Sequence, residues 1–469
     1  MKKIENKIML ITYADSMSKD LKELDEILST HFQGIIGGLH VLPFYPSSGD
    51  RGFAVINYDI VDPAFGTWDD IDKLADQYYM MADFMLNHIS IRSEEFRDYM
   101  KNGDNSPYRD MFIHWEEFWP DGNPTEEQYD LLYRRKPTYP YIEFTRDDGK
   151  KVHLWNTFFE EQIGTISSHV PLVRFDAFAY ATKRPGTNCF FVEPDVWDVL
   201  EIGMAPLRKR GTEMLPEIHE NYHIQLKMAE KGYWVYDFAL PMLLLHGLKT
   251  GRTDRLIHWL NICPRKQFTT LDTHDGIGVV DVAGLLTEDE IDIVRDDVNE
   301  ITKEARKYIK LPSMIKDKSG KFRSYQLGST YYSALHCNDD AYLIARAVQF
   351  YTPGIPQVYY VGLLAGENDI ESMKTIPDPR TINRHTFTRE ELEAAVQKPV
   401  CTRMYEMMRF RNTYEAFNGD ITVGEDKGDG TVTITWTKDE YHTTLHADFK
   451  TLTYTIIYYD KETGSECTL

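Results

Sequence analysis

The sequence predicts an α/β fold: a (β/α)8 TIM barrel with two inserts and a C-terminal antiparallel β domain. Three observations carry this. Eight short apolar runs alternate with amphipathic stretches at helical spacing. The alternation is interrupted at length only after the third and seventh runs, and beyond residue 420 it gives way to β-rich segments separated by polar turns. Eight such units favour a closed parallel barrel over an open doubly wound sheet.

Taken in order, residues 8–14 read as the first strand. Residues 21–32 carry apolar side chains at 21, 24, 27, 28 and 32, which is helical spacing. Residues 38–44 form a second strand and 67–78 a second helix, with Thr67 as its cap and Asp69 and Asp70 in its first turn. Residues 80–87 are the third strand and 172–176 the fourth, followed by a helix near 195–208. Residues 212–218, a helix over 224–231 and residues 234–240 come next. Helical spacing then runs from 242 to 260, and 267–272 is the seventh strand. Residues 341–350 are helical, 355–361 are the eighth strand, and 400–417 close as a helix.

The expected divisions follow. Barrel segments cover 1–87, 171–283 and 331–418. An inserted domain rich in aromatics and prolines spans 88–170. A second insert spans 284–330, with a charged helix near 288–308 and a basic loop near 316–323. The tail, 419–469, contains β segments at 431–437, 441–448 and 451–459, which read as a small antiparallel domain.

Composition narrows the function. Hydrophobic residues make up 42% of the 469, enough to bury a sizeable core. A formal charge of −22 repels phosphodiester backbones and anionic lipid, so neither nucleic acid nor a membrane is the expected partner. A phosphorylated ligand then needs a local cationic pocket. The five cysteines (Cys189, Cys263, Cys337, Cys401, Cys467) are few, odd in number and outside CxxC spacing, which fits a reducing, cytoplasmic compartment. The start is polar, and the apolar run at 8–11 is too short for a signal peptide. No HxH or EF-hand spacing supports a metal site.

Barrel chemistry sits at the carboxyl ends of strands. Strand four ends Val-Arg-Phe-Asp, giving Arg174 and Asp176. Strand five ends Leu-Pro-Glu-Ile-His, giving Glu217. Strand seven runs Leu-Asp-Thr-His-Asp, giving Asp272, His274 and Asp275. Asn87 and His88 end strand three, and Gly-Asp-Arg-Gly at 49–52 follows strand two. Two carboxyls across a glycosidic bond are what retaining glycosyl transfer requires, one attacking the anomeric carbon and the other protonating the departing oxygen. Asp176 beside the Arg174 cation suits the nucleophile, and Glu217 between Pro216 and Ile218 suits the acid/base. A single strand-end acid is more often an ion-pair partner or a cap than a catalyst, so the argument rests on the set.

At these residues the sequence resembles the sucrose phosphorylases, a branch of the α-amylase superfamily, glycoside hydrolase family thirteen. The four short superfamily regions match 83–88, 173–177, 215–218 and 271–275. Longer matches lie at 9–15, 235–241, 269–278, 356–362 and 382–385, so the resemblance covers nearly the whole chain. It implies that Asp176 forms a β-glucosyl-enzyme, that Glu217 is the general acid/base and that Asp275 stabilises the oxocarbenium-like transition state. It implies that Asp50, His88, Arg174, His274 and Arg384 hold the glucosyl ring, and that no cofactor is needed. The implied substrates are small molecules: sucrose or sucrose 6′-phosphate, and inorganic phosphate. The segment Tyr133, Arg134, Arg135, Lys136 and Pro137 falls where the family's first acceptor loop carries its basic residues.

Two departures stand out. Where many sucrose phosphorylases carry Asp-(Leu/Ile)-Tyr-Gln in the second acceptor loop, this chain has Arg323, Ser324, Tyr325 and Gln326, with Lys318 and Lys321 just before. An arginine suits a phosphorylated leaving sugar better than an aspartate does, as in the related sucrose 6′-phosphate phosphorylases. Secondly, only residues 163–171 separate Gln162 from strand four, too few for a full barrel helix. The third barrel helix is therefore expected to be missing or reduced. That predicts an uncovered apolar stripe on strands three and four, filled by the insert or by a second copy in a homodimer, with lower stability and a displaced Arg174 and Asp176. A hydrolase or transglucosidase of the superfamily would share the three acids, and a non-catalytic carbohydrate-binding relative is the reading from another class.

Overall fold

The computed structural model describes residues 2–133, 140–158, 166–308, 314–316, 322–376 and 378–469. Eight parallel strands form the central sheet: β1 (Met9–Thr12), β2 (Gly38–Val41), β3 (Tyr79–Met85), β4 (Leu172–Asp176), β5 (Glu213–Pro216), β6 (Val235–Asp237), β7 (Gln267–Thr270) and β8 (Ile355–Tyr359). Their order is β5-β4-β3-β2-β1-β8-β7-β6, so the chain winds once around a barrel whose ladder is open between β5 and β6. Strands β1, β2, β3, β6, β7 and β8 are buried along their whole length, because helices and barrel core cover both faces.

The surrounding helices start where the sequence signals them. Helix α1 (Leu21–His31) is capped by Asp20, whose carboxylate accepts from Glu23 N. Helix α2 (Trp68–Gln77) begins at Thr67, and Asp70 reaches back to accept from Thr67 N at 3.0 Å. Helix α3 (Asp195–Arg208) follows β4, and α4 (Tyr222–Glu230) follows β5. The helical spacing over 242–260 resolves into two helices, α5 (Leu240–Thr250) and α6 (Asp254–Ile262). Gly251 divides them: its φ of 70° is left-handed, which ends α5 and which glycine adopts without strain. Helices α7 (Asp339–Tyr351) and α8 (Pro399–Thr413) flank β8 in sequence, and α8 stops short of residue 417.

Between α2 and β4 the described residues 166–171 hold the end of a helical turn and a hydrogen-bonded turn. This short piece joins the same apolar core as the side chains of β3 and β4. Ile166 and Val170 are fully buried, and the His169 ring stacks on Trp68 with centroids 4.1 Å apart. Thr212 Oγ1 donates to Ser167 O and Val170 O, and Arg210 Nη1 donates to Ser167 Oγ. The expected displacement is absent: β4 pairs in register with β3 from Met81↔Leu172 to Met85↔Asp176.

The first insert carries a three-stranded antiparallel sheet and a cluster of Trp115, Trp119 and Trp155. The second begins with the helix Glu288–Ile301, capped by Thr287. The tail forms five antiparallel strands, two more than the sequence suggests: Asp420–Val423 and Ser465–Thr468 are short edge strands without strong β patterning. It is bolted to α7, where Trp436 Nε1 donates to Tyr351 O. Among the described residues no helix is long and apolar enough to cross a membrane, and all five cysteines are unpaired.

One strand-end acid has a purely internal partner. Arg346, fully buried on α7, places Nη2 3.0 and 2.8 Å from the two oxygens of Asp272 and is also bonded to Tyr342 OH and Gln349 Oε1. Removing one member leaves a buried charge alone. Arg346→Met is expected to destabilise the protein by about 3–5 kcal/mol, read as a lower urea midpoint. Replacing Asp272 by Leu in the same chain is expected to recover most of that loss.

Candidate active site

The ends of β2, β3, β4, β5 and β7, with the turn after β8, converge on one rim. On β4, Arg174 sits between three acids. Its Nη1 donates to Asp83 of β3 and, at 2.9 Å, to Asp176 Oδ1, and its Nη2 lies 3.9 Å from Glu217 Oε1. The ring of His40, on β2, holds the other side of Asp83 at 2.7 Å. Burial would raise Asp83, but His40 and Arg174 outweigh it and bring the carboxyl to about 2. Arg174 is thus clamped from below by a permanent anion, which fixes where it meets Asp176.

Ala177, next to the nucleophile candidate, has φ 48°, a conformation non-glycine residues rarely take. It turns Ala177 N toward Glu217 Oε2, which accepts at 2.8 Å. Asp176 and Glu217 are therefore held toward one another by one guanidinium and one adjoining peptide. Burial pushes Asp176 up to about 7; Arg174 pulls it down and Glu217 pushes it further up. The Arg174 cation, which the sequence places beside the acid, lowers Asp176 without offsetting its burial.

Across the rim, Asp275 lies 2.9 Å from Arg380 Nε and 3.9 Å from Arg384 Nη2. Burial drives His274 well below its ordinary value. Burial would raise Asp275, but Arg380, with His274 and Arg384 behind it, outweighs that and holds the carboxyl well below its ordinary range. Phe53 stacks on His274 with centroids 4.7 Å apart, and Phe53 O lies 2.8 Å from His88 Nε2. Burial likewise lowers His88. Asp50, in left-handed backbone at φ 47°, meets Arg380 Nη1 at 3.2 Å and Arg384 Nη1 at 3.6 Å. Arg384 is fixed in turn by its Nε, which donates to His274 O.

The structure thus joins Asp50, His88, Arg174, Asp176, Glu217, His274, Asp275 and Arg384 in one network. Tyr325 is buried with its ring 5.7 Å from that of His219, and Gln326 Nε2 is 3.2 Å from His219 Nε2. Tyr133 stacks on Phe190, in the segment after β4, at 4.1 Å. Arg323 lies in the strand Phe322–Ser324, paired with Ile315. The expectations for Arg134, Arg135, Lys136, Lys318 and Lys321 lie outside the described residues.

Sequence reasoning passed over three members: Asp83, Arg380 and His219. Asp83 opens one of the matched regions, and Arg380 precedes the matched stretch at 382–385 by two residues. His219 closes the Leu-Pro-Glu-Ile-His run, so its signal was present in the motif itself. Among the described residues, Glu217, His219 and Asp275 alone have ligand atoms close enough together for a metal, within 4.8 Å of one another. Arg380 pairs with Asp275, Arg174 lies 3.9 Å from Glu217, and His219 Nδ1 is bonded to Asp281, so this donor set does not favour a dication.

The model of the α-amylase catalytic domain matches residues 33–147. The sucrose phosphorylase of Streptococcus mutans is 47% identical over 436 residues, 89% of each chain. The sucrose 6(F)-phosphate phosphorylase of Thermoanaerobacterium thermosaccharolyticum is 42% identical over 99% of each. A crystal structure of sucrose 6F-phosphate phosphorylase from Thermoanaerobacter thermosaccharolyticum superimposes with a TM-score of 0.92 at 40% identity, covering 100% of this chain and 99% of that one. With the barrel, the strand-end acids and full-length similarity in agreement, the chain belongs to the sucrose and sucrose 6(F)-phosphate phosphorylase group of the α-amylase family.

Proposed function

We propose that the chain is a retaining α-glucosyl phosphorylase, converting sucrose and phosphate to α-glucose 1-phosphate and fructose. The observation that carries this is Arg174 holding Asp176 and Glu217 together, with Asp275 opposite, in a chain similar along its whole length to such phosphorylases. Asp176 Oδ attacks the anomeric carbon while Glu217 passes its proton to the departing fructosyl oxygen; the glycosidic bond breaks and a β-glucosyl ester forms. An oxygen of hydrogen phosphate then attacks the same carbon, its proton passes to Glu217, and the ester electrons return to Asp176. Two inversions leave the α configuration. Asp275 faces the positive charge that develops on the ring, and Asp50, His88, His274 and Arg384 hold its hydroxyls.

The acceptor side falls to Tyr133, Arg134, Arg135, Lys136, Arg323, Tyr325 and Gln326. A second donor, sucrose 6′-phosphate, is favoured by one feature: Arg323, flanked by Lys318 and Lys321, in the place of an acid. The enzyme acts on small molecules in the cytoplasm, as its five unpaired cysteines fit. A homodimer is compatible with this reading but is not needed to cover β3 and β4.

The test incubates the enzyme with each donor, with and without phosphate, and assays glucose 1-phosphate. Phosphate-dependent glucose 1-phosphate from sucrose is the expected result. A kcat/KM at least about tenfold higher for sucrose 6′-phosphate would move the assignment to the second donor. Glucose release insensitive to phosphate would leave only a hydrolase.

A further inference from the structure

His219 lies two residues beyond Glu217 and is 5% exposed. Its ring stacks on Phe238 with centroids 4.0 Å apart. Nδ1 is 3.0 Å from Asp281 Oδ2, and Nε2 is 3.4 Å from Glu217 Oε1 and 3.2 Å from Gln326 Nε2. Asp281 is itself buried, on the turn Val280–Val282. Gly278 permits the contact: a Cβ there would lie 2.2 Å from Asp281 Oδ2 and 3.1 Å from His219 Nδ1. The same glycine pairs with Gln326 in the short ladder of Ile277–Gly278 with Gln326–Leu327. One point just before the second insert therefore sets both partners of the imidazole, an acid on one nitrogen and the acceptor loop on the other.

We propose that Asp281 and His219 form a charge-positioning pair that holds an imidazolium against the Glu217 carboxylate of the glucosyl-enzyme, so that anionic phosphate can enter. This rests on Glu217 being the acid/base. Once the leaving sugar has taken its proton, Glu217 is an anion, and hydrogen phosphate brings two more negative charges to the same place. Attack through the phosphate O–H moves that proton to Glu217, forms the new C1–O bond and returns the ester electrons to Asp176, so charge is conserved. The obstacle is the approach of like charges, and a cation behind Glu217 lowers it. Water meets no such obstacle, so the pair selects between acceptors.

The surroundings favour the charged ring. The ionisable groups facing it are the carboxyls of Asp281, Glu217 and Asp275 and, edge-on at 5.7 Å between ring centroids, the Tyr325 phenol; Arg174 lies beyond Glu217. Burial alone would lower the imidazole, but Asp281, then Glu217, outweigh it and raise it above its ordinary value. Asp281 takes the Nδ1–H in either state. Nε2 accepts from the Gln326 amide when the ring is neutral and donates to Glu217 when it is protonated. His219 acts through Glu217, and is a positioning residue.

The test measures how the glucosyl-enzyme formed from α-glucosyl fluoride partitions between phosphate and water across pH. Asp281→Asn keeps an acceptor for Nδ1–H and removes the charge. His219→Gln removes the cation. In both, the phosphate-to-water ratio is expected to fall at least about tenfold at neutral pH. In Asp281→Asn the ratio should recover at lower pH, its alkaline limb shifted down by about one unit or more. Phosphate ionisation is common to parent and variant and cancels. Equal losses to both acceptors, with an unmoved profile, would overturn the proposal. Should either variant melt well below the parent, 15N-histidine spectra of the parent trapped with 2-deoxy-2-fluoroglucosyl fluoride decide it: an imidazolium at pH 7 supports the pair and a neutral ring overturns it. A parent that makes no glucose 1-phosphate from any glucosyl donor brings down the assigned function as well, whereas a phosphorolytic parent with indifferent variants brings down this inference alone.

Discussion

Asp176→Asn is expected to lower turnover of the glucosyl donor by at least about 10⁴-fold, because the amide cannot form the ester and the remaining groups act only on a bond already under attack. The substitution is nearly isosteric. It keeps an oxygen for Arg174 Nη1, 2.9 Å away in the parent, so the β3–β4 register should persist. Stability should move in the opposite direction. Burial raises Asp176 to about 7, which means the folded chain holds its proton more tightly than the unfolded chain does. Such an acid costs stability as pH rises from the ordinary carboxylate range through about 7. The variant should therefore gain on the parent over that window, measured as the difference in Tm at pH 4 and pH 8. In the parent, kcat/KM should fall on the acid side of about pH 7, where the nucleophile becomes protonated. That limb belongs to the carboxyl pair rather than to one residue. A variant that retains even one per cent of parental turnover would remove Asp176 from the chemistry.

Glu217→Gln is expected to cost about 10²–10⁴-fold with sucrose, and far less with α-glucosyl fluoride, whose leaving group needs no proton. The contrast between donors is the diagnostic quantity, since a merely structural loss would lower both rates together. The glutamine carbonyl can still accept from Ala177 N, 2.8 Å from Glu217 Oε2 in the parent, so the strained turn at Ala177 keeps its partner. Equal loss on the two donors, with an unchanged Tm, would count against proton donation by this residue.

Much of the architecture was legible because barrel strands are local objects. A run buried on both faces must be apolar in sequence, and eight such runs with amphipathic stretches between them have few ways to pack. Thr67, Asp70 and Gly251 show the same locality: caps and left-handed positions are written in the residues that occupy them. The break at Gly251 was nevertheless read through, since apolar spacing continues across it while the backbone does not. The strand-end acids were equally visible, because the fold assigns their rim once the strands are placed.

The sequence alone therefore determined the barrel and its C-terminal antiparallel sheet, and it marked acids at the strand ends. It did not decide which acid meets which cation. Asp272 and Asp275 are three residues apart, yet one is spent on Arg346 inside the wall and the other faces Arg380 and Arg384 in the site. His219 reads as one residue of a motif, and only the fold brings Asp281, 62 positions away, against its ring. The burial of Ile166 and Val170 in the core they share with β3 and β4 is of the same kind. Apolar periodicity reports burial along a few neighbouring residues, whereas the state of a charge depends on groups that only chain closure brings within a few ångströms.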